Sequence, residues 1–175
     1  MTRKLVIACI ALLASASIML AQEPPKMPKP GPEHQRLHYF LGKWNYEFEM
    51  KATAGKVTGV DRNEMMPGGF FLVTHSEGKG TMGELKGLAI MGYDADQKVY
   101  TYHAFNNWGE AEDYKGTVVA DTWTWTSEAK MAGKMVKTKF TLKEVSPTSY
   151  TMQFDAMGDD GSWNTAMVGK ATKAK

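Results

Sequence analysis

Trp44-Asn45-Tyr46-Glu47-Phe48-Glu49-Met50-Lys51 sets four large apolar side chains against four polar ones in strict alternation. Successive side chains of a β-strand point to opposite faces, so this segment is a strand with one face on a core and the other in water. Similar segments follow to the end of the chain. The sequence predicts strands over Lys56 to Met66, Phe70 to Glu77, Leu85 to Tyr93, Val99 to Phe105 and Ala111 to Val119. It predicts further strands around Trp123 and Trp125, and over Met135 to Val145, Tyr150 to Met157 and Trp163 to Lys170. Between Gly42 and Gly169 every connection is short and none is long enough for a helix, so consecutive strands are expected to pair. The expected fold is all-β, an antiparallel up-and-down barrel of about ten strands, because closing such a sheet removes its two exposed edges. A barrel of eight strands already holds one small ligand, so about ten strands leave an interior that side chains do not easily fill.

The connections are written in turn residues. Pro67-Gly68-Gly69 ends one strand, and the glycine loops Gly78 to Gly83 and Glu128 to Lys134 are expected to separate others. Ala120-Asp121 closes a two-residue hairpin that sets Val118 across from Trp123 and Gly116 across from Trp125. In the last hairpin, Met152, Phe154 and Ala156 are expected on the same face as Trp163, Thr165 and Met167. Ahead of the first strand, Pro32 to Leu41 begins with proline where a helix tolerates it and places Glu33 in the first turn. Leu37, Phe40 and Leu41 share a face at helical spacing and Gly42 stops the run, so a short helix is expected to plug one end of the barrel.

The amino-terminal end reads differently. Arg3 and Lys4 precede an apolar run from Leu5 to Leu20, then Ala21 and a polar break, which are the parts of a secretory signal peptide. Cleavage is expected after Ala21, with Ala14-Ser15-Ala16 as a second site; the run is short for a bilayer span of about 20 residues. Residues 1–21 are therefore read as signal, residues 22–31 as a proline-rich linker and residues 32–175 as one domain. The expected destination is the periplasm or the extracellular space, with no stable membrane insertion after cleavage. Removing the signal takes two of the 21 basic side chains, none of the 19 acidic ones, and the single cysteine, Cys9. A formal charge of zero removes the electrostatic case for nucleic acid, and loss of the cysteine removes disulfide, thiol and thiolate-metal chemistry.

Gly42-Lys43-Trp44 after a short helix resembles the opening of lipocalins and related calycin barrels. Together with Pro32-Glu33-His34, Pro67-Gly68-Gly69-Phe70-Phe71, Gly92-Tyr93-Asp94 and Gly158-Asp159-Asp160-Gly161-Ser162-Trp163, the chain resembles the bacterial family known as domain of unknown function 1579. The resemblance runs from Pro32 to Lys170 and implies a calycin-like barrel without an agreed activity. A more distant resemblance is to the haem-binding nitrobindin group, whose proximal histidine lies near the carboxyl end of the barrel. This chain has no histidine after His103, so haem is not carried over and no cofactor is expected.

A pocket lining is expected from the aromatic set Trp44, Tyr46, Phe48, Tyr102, Trp123, Trp125, Phe154 and Trp163. His75 and His103 would supply its polar spot if both faced inward. That arrangement favours a binder of a small hydrophobic or aromatic molecule. The alternatives are an isomerase or hydrolase using His75 or His103 as base, and a ligand-free interaction module of the envelope. His34 and His38, four apart on the helix, are two donors without a third, and the scattered methionines read as flexible core filling rather than a copper site. Arg62, Glu64, Glu47 and Glu49 read mostly as the solvated face of the sheet.

Overall fold

The computed structural model describes residues 27–51, 54–81, 83–131 and 133–175. The expected signal segment and the first part of the expected linker lie outside the described residues. Helix α1 (Pro32–Arg36) passes into a 3-10 turn (Leu37–Phe40), and ten strands follow. They are β1 (Gly42–Met50), β2 (Gly55–Met65), β3 (Leu72–Gly80), β4 (Gly83–Asp94), β5 (Val99–Asn106), β6 (Ala111–Val119), β7 (Thr122–Met131), β8 (Lys134–Ser146), β9 (Ser149–Met157) and β10 (Trp163–Lys173). Each pairs antiparallel with its neighbours in sequence, and β1 pairs with β10 to close the barrel. The all-β, ten-stranded up-and-down architecture stands as the alternation predicts.

The pairing is set by side chains that need space. Tyr46 of β1 points into the barrel, and a Cβ placed on Gly59 of β2 or Gly78 of β3 would collide with its ring. Gly78 and Gly80 therefore belong to β3 rather than to a loose loop, and the β3–β4 hairpin tightens to a Gly80↔Gly83 pair. The second glycine loop shortens in the same way, with Glu128↔Lys137 and Lys130↔Met135 paired between β7 and β8. Gly116 faces Trp125, and Val118 faces Trp123, across the hairpin closed by Ala120-Asp121. A Cβ on Gly116 would overlap the Trp125 indole, which is 1% exposed and has no room to retreat. Gly116→Val is accordingly expected to cost about 1–3 kcal/mol through overpacking, read from the urea midpoint. An unchanged midpoint would disprove this packing.

The last hairpin departs from expectation. Trp163, Asn164 and Thr165 pair with Met157, Ala156 and Asp155, but Met167 pairs with Phe154, so a β-bulge falls at Ala166. One extra residue reverses the faces on either side of it. Met167 points inward as predicted, whereas Trp163 points outward, 41% exposed, with Lys139 Nζ 4.5 Å from its ring centroid.

The plug is present. Leu37 and Phe40 are 0% and 2% exposed and join Trp44, Trp123, Tyr100 and Tyr150 in the core. Phe40 meets Trp123 edge-on at 5.0 Å and Tyr150 at 5.8 Å, while the Phe40 carbonyl accepts bonds from Trp44 Nε1 (2.7 Å) and Asn63 Nδ2 (2.8 Å). Arg36 ties the helix to the wall through Glu144 (2.5 Å), and Glu144 also accepts from Trp123 Nε1 (2.7 Å). These groups satisfy one another, so the lid is held by both apolar contact and a connected polar chain.

Candidate functional site

Below the plug the barrel is hollow. A cavity of about 230 Å³ lies between Phe40, which closes it on the plug side, and Phe48, Leu85, Phe154 and Met167 toward the opposite end. Its walls include Tyr46, Met91, Tyr102, Tyr114, Trp125, Phe140, Leu142, Tyr150 and Met152. Wider troughs run over the outer wall, such as the one of about 560 Å³ between Glu47 and Lys170, but these are open surface grooves lined by charged side chains.

The polar part of the cavity comes from two adjacent strands. On β2, Asp61 and Asn63 point inward; on β3, Ser76 and Thr74 stand directly across from them. The four side chains make a two-by-two patch on an otherwise aromatic and aliphatic wall. Their neighbours on β4 are Gly87 and Ala89, which pair with Ser76 and Thr74 and are too small to cover them. Ser76 Oγ donates to Asp61 Oδ1 at 2.5 Å. Asn63 Oδ1, Thr74 Oγ1, Tyr46 OH and Trp125 Nε1 are buried without a partner. Buried polar atoms are nearly always hydrogen-bonded, so four unpartnered ones on side chains around one space set this region apart from the rest of the core.

The electrostatics agree. Burial pushes the Asp61 carboxyl up to about 6, with the Ser76 bond only partly offsetting it. Burial, and then the Asp61 charge, raises Tyr46 to about 12 and moves Tyr102 and Tyr150 above the ordinary phenol range. All three phenols are therefore neutral at physiological pH. Tyr114 OH donates to Glu112 Oε2 (2.8 Å), leaving the Asp61 carboxylate as the charge the cavity itself displays.

The aromatic residues expected at a site divide into three groups. Tyr46, Phe48, Tyr102, Trp125 and Phe154 line the cavity. Trp44 and Trp123, both 0% exposed, are packed into the junction of plug and barrel. Trp163 is outside, for the reason given by the bulge. The two histidines are outside as well: His75 pairs with Arg62 and Leu88 on the outer face, and His103 Nδ1 lies 2.5 Å from Asp113 Oδ1 on an exposed surface. Tyr102 and His103 are consecutive in one strand, so only one of them can face inward, and Tyr102 does. His34 is buried, accepts from the Gly31 amide at 3.0 Å and meets Phe70 and Tyr93 edge-on, while His38 is exposed; the pair does not converge. Arg62 forms an exposed pair with Glu77 (3.2 Å), and Glu47, Glu49 and Glu64 face water.

The polar patch itself was readable from parity. If Arg62 and Glu64 occupy the solvated face, then Asp61 and Asn63 must occupy the other.

The molecule is thus a closed ten-stranded up-and-down barrel with a plugged end and a polar patch inside an aromatic cavity. The chain belongs to the family described as Protein of unknown function (DUF1579), whose model matches residues 29–173. No curated protein matches it. Among solved structures it is similar in fold to the S-type phycobiliprotein lyase CPES from Guillardia theta, with a TM-score of 0.57 and 9% identity, covering 82% of this chain and 93% of that one. A de novo designed fluorescence-activating β-barrel matches with a TM-score of 0.47 and 15% identity, covering 78% of this chain and 95% of that one. These likenesses concern the fold. Among the described residues, no helix is long and apolar enough to cross a membrane.

Proposed function

We propose that the protein is an exported binding barrel that takes a small, largely hydrophobic or aromatic molecule into the cavity beneath α1. The observation that carries this reading is a cavity of about 230 Å³ inside the barrel whose lining side chains include four unpartnered polar atoms. An apolar cavity of about 150 Å³ is enough for benzene, and drug-sized ligands need roughly 300 Å³ or more. The size therefore suits one or two fused rings, or one ring with a short polar arm. Export rests on the basic and apolar amino-terminal segment, and entry on the barrel end away from the plug.

The rival enzymatic reading required His75 or His103 as a base within the cavity, and both side chains stand on the outer face. A filled interaction module would have no use for the cavity. Calorimetric titration with neutral one- and two-ring aromatics such as indole and 2-naphthol tests the proposal. Saturable binding of one molecule per chain is expected, and Leu85→Trp, which fills the space from the wall, is expected to weaken it at least tenfold with little change in melting temperature. Absence of saturable binding by these and by charged one-ring aromatics alike, or binding indifferent to Leu85→Trp, would refute it.

A further inference from the structure

Resting on the reading that the cavity holds a small molecule, we propose that this molecule is a cation: an amine or another protonated nitrogen base whose charged end lies against Asp61 on the inner wall of β2 and β3. Three features of the cavity converge on that class.

The first is an unmatched charge. Asp61 takes part in none of the ion pairs among the described residues, and no lysine, arginine or histidine lines the cavity. The titratable groups that sense it are Tyr46 from β1, Tyr102 from β5 and Tyr150 from β9, with Glu112 of β6 acting on Tyr102 in turn. None of these carries a positive charge. A carboxylate inside a barrel without a countercharge is costly, and a cationic ligand removes that cost by binding.

The second is a pair of acceptors free beside the carboxylate. Asn63 donates its amide hydrogen to the Phe40 carbonyl, which fixes the amide orientation and leaves Oδ1 as an acceptor with nothing to accept. Thr74 Oγ1 stands beside it, and Asp61 accepts only the Ser76 hydroxyl. An ammonium group offers three donors and matches such a patch. An anionic ligand would face the carboxylate.

The third is the wall itself. Tyr46 and Phe48 stack at 4.5 Å beside the patch on β1, and Tyr102 meets Trp125 at 5.6 Å on β5 and β7, so aromatic rings border the same space. Aromatic faces attract cations, most strongly where water is excluded.

The ligand class can be read with three probes of similar size: 2-phenylethylamine, 2-phenylethanol and phenylacetate, titrated by calorimetry. At pH 7.5 the amine is expected to bind at least tenfold more tightly than the alcohol, and phenylacetate more weakly than either. Asp61→Asn should bring the amine to within about threefold of the alcohol. The unsubstituted protein gives a second reading: with the empty Asp61 titrating at about 6, only about a tenth of it is ionised at pH 5, so amine affinity should fall about tenfold while alcohol affinity stays. If the alcohol equals the amine, or the preference survives both Asp61→Asn and pH 5, the cation assignment is overturned and the binding barrel stands. If none of the three binds, and indole and 2-naphthol also fail, both readings fall.

Discussion

Asp61→Asn is expected to raise the melting temperature at pH 8 by roughly 5–10 °C and to change it far less at pH 4. The folded protein holds the Asp61 carboxyl at about 6 against an ordinary value of 3.8, and burial is the main cause. A carboxyl whose folded value lies above its unfolded one binds its proton more tightly in the fold. Its favourable contribution is complete below pH 3.8 and is lost as the pH rises through 6. Above that point the charge is a burden of about 3 kcal/mol, the free-energy equivalent of about two pKa units. Asparagine keeps an acceptor for the Ser76 hydroxyl and has no charge to bury, so the two proteins should separate between pH 4 and 6 and stay apart above. Melting curves at pH 4 and 8 decide the matter. An equal difference at the two pH values, or a less stable Asp61→Asn at pH 8, would show that the carboxylate is compensated.

Asp155 shows what compensation looks like. It is 2% exposed, and burial works to raise its carboxyl, yet hydrogen bonds from Gln153 and Thr165 and the Lys139 ammonium hold it below the ordinary value. The barrel thus solves the problem of a buried carboxylate on its outer wall and leaves it unsolved in its cavity. Residual instability of this kind is a common companion of binding sites.

Trp123→Ala should cost about 3–5 kcal/mol, the usual range for emptying a fully buried indole site. Trp123 is 0% exposed, stacks on Trp125 at 6.0 Å, meets Phe40 and Tyr100 at 5.0 Å, and lies 5.2 Å beneath the Arg36 guanidinium. Its loss removes the surface on which the plug rests and the donor that holds Glu144. Trp123→Phe keeps most of the packing and forfeits the Nε1 bond, so it should cost less, about 1–3 kcal/mol. Urea unfolding of the two variants measures both terms. A Trp123→Ala midpoint within error of the parent would mean that α1 does not depend on this contact.

The strands, the hairpin at Ala120-Asp121 and the plug were legible because each rests on local rules. Trp44 to Met50 alternate cleanly, two residues fix the register of β6 and β7, and Leu37 and Phe40 share one helical face. The orientation of individual side chains was less legible. Phe71-Leu72-Val73-Thr74 carries apolar groups at both parities, so local sequence does not say which face is inner; the register against β2 and β4 decides, sending Leu72 and Thr74 in and His75 out. On β5, His103 shares a face with Phe105, whose size alone does not make that face the inner one: Phe105 is 49% exposed and the inner set is Tyr100, Tyr102 and Ala104. The extra residue at Ala166 has no signature of its own, and it alone separates Trp163 from the interior.

Of the ten ladders, nine join consecutive strands and one, β1 with β10, joins strands from opposite ends of the domain. The nine are hairpins that zip without waiting for the rest. The tenth must bear the entropy of bringing distant segments together, so it is the natural last event in folding. Until then the molecule is an unrolled strip with two bare edges, the form in which one copy recruits another. Phe48 lies over Gly169 at that seam, where any Cβ would displace it, and it stacks on Tyr46 as it does so. The aromatic pair that borders the cavity is also the clasp that shortens the life of the sticky strip.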